Sequence, residues 1–394
     1  MLNPLALIKA LKDRTPLGLK QLKHDPMRLL TAIAGITFAD ILIFMQLGFS
    51  DALYKTNTQY PRAVQADLVV LSDQAKNFNQ LKTFSRRRLY QAQDIPGVAT
   101  TDAMYIANKE WRNPQTGQKK SMLLIGQNPA RPAFDIPEVN QQLEAIRLPG
   151  YVLFDQSARG DYEETIARYQ AGDRITTEVG TQTVTVTGLF SVGASFAYDG
   201  ALITSDQNFL RLFPRRDAGV VSMGLINIED GADITQVKTM LESYLPDDVQ
   251  IFTQSEYVDF EVADIQRDSP IGFVFGLGTV MGFVVGVVIV YQVLSTDVNS
   301  HLAEYATFKA MGYRNSYLLG VVFEEALILS LCGFFPSFLL ALGAYQLTAQ
   351  ATALAISMPL SRVFLVFFLT LAMCSASGGI ATRRLQAADP ADIF

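Results

Sequence analysis

Side chains able to do covalent or acid–base chemistry are scarce in this sequence, and their positions matter more than their number. There are two histidines, His24 and His301, and two cysteines, Cys332 and Cys374. A Ser-His-Asp relay needs an imidazole beside its nucleophile, and tetrahedral zinc sites are built mainly from imidazole and thiolate. Both histidines stand in short basic segments and both cysteines inside apolar runs, so neither arrangement can form in the long hydrophilic stretch. The acidic pairs there, Asp247-Asp248 and Glu163-Glu164, lack the spacing of a calcium loop and read as solvated surface. No G-x-x-x-x-G-K-S/T run occurs, so the chain has no P-loop for a nucleoside triphosphate. The expectation is a non-catalytic chain that holds no metal or cofactor of its own.

Three carboxylates nevertheless stand in apolar runs: Asp40 in the middle of one, Glu324 and Glu325 near the start of another. Charge in hydrocarbon is costly, so such a residue marks function unless it turns inward to a partner. No basic residue sits within another run to meet Asp40, which favours an inward, hydrogen-bonded role. Glu324 and Glu325 are close enough to the end of their run to reach water, and a structural or interfacial role is expected. Gly278, Gly282 and Gly286 recur at four-residue steps, a small face that lets helix backbones approach. That face serves packing among the spans or a dimer interface, and spacing alone does not separate the two.

The segment 300–313 is helix-forming by propensity, rich in Ala, Leu, Glu, Lys and Met. Leu302, Tyr305, Phe308 and Met311 form a slanting apolar stripe, Glu304 and Lys309 flank it, and Gly312 is a natural stop. So short a segment has nothing of its own to cover the stripe. It lies on lipid headgroups or inserts into a groove on a cytoplasmic partner.

The elements that position these residues follow from composition. Hydrophobic residues make up 49% and charged residues only 18% of the 394, with a mean hydropathy of +0.19. Soluble chains carry about a quarter charged residues. The charge is concentrated: residues 51–269 hold 29 acidic against 21 basic side chains. The pattern is a membrane protein with four transmembrane helices, one plus three, and a large acidic α+β domain inserted after the first. About 20 apolar residues cross a bilayer, and four runs qualify: 29–50, 270–296, 317–345 and 362–382. Residues 1–28 form a basic amphipathic segment on the inner leaflet, 297–316 a loop, 346–361 a short turn and 383–394 a tail. The first 28 residues carry six basic side chains, the loop carries Lys309 and Arg314, and the tail opens with Arg383-Arg384. By the positive-inside rule these flanks, and both termini, are cytoplasmic and the insert is outside.

Within the insert, 67–72, 98–105, 182–187, 201–204, 220–228 and 248–252 read as strands, and 85–93 and 233–244 as helices. Asp233 is placed as an N-cap. The order suggests two lobes, the distal one spanning about 108–216. No disulfide can brace it.

The run Glu304-Tyr-Ala-Thr-Phe-Lys-Ala-Met-Gly-Tyr313 resembles the coupling helix of FtsX-like and MacB-like ABC transporter permeases, which share the one-plus-three order. Arg28-Leu-Leu-Thr-Ala-Ile-Ala-Gly-Ile-Thr-Phe-Ala-Asp40, Ile43-Phe-Met-Gln-Leu-Gly-Phe49 and the tail Ala388-Asp-Pro-Ala-Asp-Ile-Phe394 are similar to the DevC-type permeases of cyanobacteria. The resemblance implies a multi-pass inner-membrane permease, working as a homodimer with a separate cytoplasmic ABC ATPase that binds ATP and Mg. It further implies a periplasmic membrane-fusion adaptor, a TolC-like outer-membrane channel and a glycolipid cargo, with the spans transmitting motion instead of forming a conduit. No nucleic-acid partner is implied. The same layout would serve an FtsX-like activator of a wall hydrolase or a lipoprotein-releasing permease.

Overall fold

Apolar runs become long helices, and alternating runs become strands. The computed structural model describes residues 26–267, 270–301, 304, 307, 311 and 315–387. The chain passes through α1 (Pro26–Ala63), β1 (Leu68–Ser72), β2 (Phe84–Ser85), α2 (Arg87–Gln93), β3 (Val98–Arg112), β4 (Lys119–Gln127) and β5 (Tyr151–Asp155). It continues with α3 (Glu163–Gln170), β6 (Ile175–Val179), β7 (Gln182–Phe190), β8 (Gly200–Ser205), α4 (Asp206–Leu212), β9 (Val220–Val221), β10 (Met223–Ile228), α5 (Ile234–Tyr244), β11 (Val249–Thr253) and α6 (Gln254–Arg267). Three long helices follow: α7 (Pro270–Ser300), α8 (Asn315–Thr352) and α9 (Leu360–Ala387). The chain divides into two units, a membrane unit ending its first part at Ser50 and resuming at Phe273, and an inserted unit of Asp51–Gly272 with Thr348–Ile356.

In the inserted unit, β11, β1, β10 and β3 lie side by side in that order, all antiparallel. With α2 between β1 and β3, and α5 between β10 and β11, this is the ferredoxin-like β-α-β-β-α-β arrangement. All five residues of β1 are buried. Leu68 and Val70 join the core under α2 and α5, with Leu89, Ala92, Val237 and Leu241. Val69 and Leu71 point the other way, into a second core with Tyr60, Phe78 and Tyr257. Alternation along a strand thus feeds two cores at once. Asp233 caps α5, its carboxylate accepting from Thr235 N (2.8 Å) and Gln236 N (3.3 Å).

A second lobe is inserted between β3 and β10. The first half of β3 pairs with β10, and its second half, from Tyr105, pairs with β4. From there the order is β4, β8, β5, β7, β6, with β4–β8 and β5–β7 parallel and the others antiparallel. Val179 of β6 pairs back onto Trp111 of β3, curling this part of the sheet toward closure around Trp111, Phe154 and Tyr162.

In the membrane unit, α1, α7, α8 and α9 are each long and apolar enough to cross a bilayer. Their shared core draws on all four, with Ala32, Ile36 and Ala39 of α1, Val290 and Leu294 of α7, Leu329 of α8 and Met373 of α9. Helix boundaries differ from the sequence expectation, most of all in α1, which runs to Ala63, past the expected end at 50. Helix α7 runs to Ser300, placing Asp297 inside the helix and not in the loop. Helix α8 runs to Thr352, past the expected end at 345, because Gln346, Thr348 and Gln350 are compatible with helix whatever surrounds them. Polarity marked a change of surroundings, not a helix end. The turn begins at Ala353, whose φ of 51° breaks the helix.

Candidate functional site

The ionisable residues of the membrane unit gather at two levels. At mid-helix, Asp40 of α1 is 0% exposed. Its carboxylate accepts from Thr370 Oγ1 of α9 at 2.8 Å and from Ser337 Oγ of α8 at 3.2 Å, so one side chain ties three helices. Each hydroxyl also reaches a carbonyl on its own helix, Val366 O at 2.8 Å and Phe334 O at 2.7 Å. A hydroxyl has one proton to donate, so each divides it between two acceptors.

The second level lies at the end of α1 where the described chain begins. Arg28 Nη1 donates to Asp297 Oδ1 of α7 at 2.8 Å and to Ser300 Oγ at 3.1 Å. His301 Nδ1 stands 3.6 Å from the other oxygen of Asp297. Glu325 of α8 neighbours the same carboxylate, and neither of its own oxygens has a hydrogen-bond donor. Contrary to the sequence expectation, Glu325 does not reach water: it is 0% exposed, while Glu324 is half-buried. Successive helical residues diverge by about 100°, so one of two adjacent glutamates must turn inward. Arg28 near the start of α1, Asp297 near the end of α7 and Glu325, ten residues into α8, therefore meet in one polar group. Arg28 and Asp297 are far apart in sequence, and their pairing was hidden because Asp297 was assigned to the loop.

That group sits at the start of the segment leading from α7 to α8. Of the coupling residues, Leu302, Tyr305, Phe308, Lys309 and Gly312 lie outside the described residues. Glu304 is exposed and helical, and Met311 is 61% exposed, its backbone N–H donating to Thr307 O at 3.0 Å.

The glycine face points into the bundle. A Cβ on Gly282 would meet Ile43 Cγ1 of α1 at 3.0 Å, one on Gly278 would collide with Gln46, and one on Gly286 with Met373 of α9. These three glycines let α7 lie against α1 and α9. The cysteines are both free, Cys374 buried and Cys332 exposed. Among the described residues no group of three or more His, Cys, Asp or Glu is arranged to hold a metal ion.

Four bilayer-length helices, one before and three after a large α+β domain, define a multi-pass membrane protein with an inserted globular domain. Residues 276–390 match the family model described as FtsX-like permease C-terminal, a stretch that takes in most of α7 and all of α8 and α9. This part of the chain is similar to the FtsX-like permease C-terminal domain. No curated protein matches the sequence. Similar solved structures include the periplasmic region of MacB from Actinobacillus actinomycetemcomitans, with 11% identity over 51% of this chain and 93% of that one, at a TM-score of 0.34. Another is the extracellular domain of the noncanonic ABC-type transporter YknZ from Gram-positive bacteria, with 14% identity over 43% of this chain and 90% of that one, at a TM-score of 0.29.

Proposed function

We propose that the chain is the permease subunit of an ABC exporter, passing the work of a separate ATPase to its inserted domain. The observation that carries the reading is the match of residues 276–390 to the FtsX-like permease model, a stretch that includes the segment between α7 and α8. In this reading both termini and that segment are cytoplasmic, the inserted domain is periplasmic, and the stripe of Leu302, Tyr305, Phe308 and Met311 seats in a groove of the ATPase. ATP and Mg belong to that ATPase. The Arg28–Asp297–Glu325 group, shared by three helices, makes a push on the segment a concerted displacement of α1, α7 and α8. The exporter works as a homodimer in a bacterial inner membrane, with a membrane-fusion adaptor and a TolC-like outer channel. Its DevC-like membrane segments favour a cyanobacterial source and a glycolipid cargo.

The test is to tag the C-terminus, extract the chain from native membranes in mild detergent and identify what co-purifies. An ABC ATPase with an adaptor supports the exporter. An ATPase with a wall hydrolase replaces it by the regulatory reading, an ATPase with lipoproteins by the lipoprotein-releasing one, and neither, from a folded chain, overturns the coupling argument. In a reconstituted complex, Glu304→Arg and Phe308→Asp are expected to abolish substrate-stimulated ATP hydrolysis while leaving membrane insertion intact. Unchanged stimulation would count against the segment's role.

A further inference from the structure

The inserted unit holds a cavity of about 240 Å³ whose polar lining is Asn57 of α1, Lys76, Asn77, Asn79 and Gln80 around a 3-10 turn, and Glu261 and Asp264 of α6. Its hydrogen bonding is unbalanced. Asn79 Nδ2 donates to Asn57 Oδ1 at 3.0 Å, and Asn77 Nδ2 donates to Asp264 Oδ2 at 2.6 Å. Asn77 Oδ1 accepts from Asn79 N at 3.0 Å, which fixes the turn. Two acceptors are left over: Glu261 Oε1 and Asn79 Oδ1 are buried with no donor, and Glu261 as a residue is 1% exposed. Buried polar atoms are normally satisfied, and here, among the described residues, the Tyr257 hydroxyl beside Glu261, itself without a close partner, is the one neighbouring donor left to serve two acceptors. Burial, with a smaller contribution from the nearby Asp264 charge, pushes the Glu261 carboxyl up to about 8. The other groups facing Glu261 are the Phe78 backbone N–H, Tyr257 and Tyr198, with Lys76 on the exposed rim.

Two carboxylates and two amide oxygens around one cavity, with no sulfur and no imidazole, form the donor set of a hard cation. We propose that this cavity binds one divalent cation, Ca2+ or Mg2+, through Glu261, Asp264, Asn57 and Asn79. The cation would turn the mutual repulsion of the two carboxylates into shared ligation and join α1, the 3-10 turn and α6. Only two of the four ligands are carboxylates; the other two are asparagine amides. The inference stands apart from the exporter reading and does not depend on it.

The test uses the full-length chain in detergent, stripped with a chelator and titrated calorimetrically with CaCl2 and separately with MgCl2. One saturable site per chain is expected, with Kd on the order of 10⁻⁴–10⁻³ M. Glu261→Gln, close to isosteric with the carboxylate, should weaken binding at least tenfold. Asn79→Ala, on a half-buried turn, should weaken binding as well. Lys76→Met, which removes the chain's own competing ammonium, should tighten it. Absence of saturable heat from both ions, or unchanged affinity in either Glu261→Gln or Asn79→Ala, overturns the proposal.

Discussion

Asp40 and Arg28 both bind helices together, yet their loss should be felt differently. The hydroxyls that donate to Asp40 have carbonyls of their own to fall back on. Asp40→Asn is therefore expected to cost no more than about 1 kcal/mol, an ordinary hydrogen-bond difference. Arg28→Met instead strands two carboxyls, Asp297 and Glu325. Breaking a fully buried pair costs about 3–5 kcal/mol, and with the Arg28 side chain 24% exposed about 2 kcal/mol is expected. Glu325→Gln in the same chain supplies an amide donor to Asp297 and should recover at least half of that loss. Thermal unfolding of the detergent-extracted chain reads all three; a larger drop for Asp40→Asn than for Arg28→Met would refute the ranking. In the inserted unit, Glu261 sets a pH dependence. Its folded value of about 8 lies above the ordinary 4.5, so the folded state holds a proton that the unfolded state releases. Stability is then greatest below about pH 4.5 with respect to this group, falls as pH rises toward 8, and levels off above it. With chelator present, Glu261→Gln should flatten the decline in melting temperature between about pH 6 and about pH 8.5; an unchanged slope would assign the titration elsewhere.

At the scale of elements, the glycines of α7 and α8 divide by what lies over them. Gly286→Leu forces a side chain into Met373 and Ala39, and Gly282→Leu into Ile43. Overpacking of this kind costs about 1–3 kcal/mol, so both variants should unfold at lower temperature. Gly276 and Gly343 have nothing within 4 Å of a built Cβ. Alanine there should leave stability unchanged or raise it by up to about 1 kcal/mol through helix propensity. Equal losses at covered and open glycines would contradict the packing. The spans were legible because twenty apolar residues have few other uses. In the inserted unit, 182–187 showed itself by strict alternation, and α5 by the N-cap at Asp233. Strands β4 and β5 went unread since Met122-Leu-Leu-Ile125 and Tyr151-Val-Leu-Phe154 are continuous apolar runs, buried on both faces, with no period to find. The inward turn of Asp40 followed from its lone charge. The Arg28–Asp297 pair did not, because sequence gives a helix its length but not its neighbours.

For the molecule as a whole, the inserted unit is one ferredoxin-like sheet with a second lobe threaded into it, and the place of threading can be read to the rung. The strand β3 serves both, pairing Met104 with Met223 in the first sheet and Tyr105 with Gly126 in the second. The sequence placed the distal lobe at about 108–216, and the structure has it leave and rejoin the ladder between 105 and 222. Entry and exit thus sit on facing positions of one antiparallel pair, as the two ends of a hairpin turn do. The lobe enters like a cassette as far as strand pairing goes, since the partners and register of the ferredoxin-like sheet do not pass through it, while both apolar cores run on into it. Sequence change inside the lobe can therefore reshape it without re-registering the two strands that hold its ends.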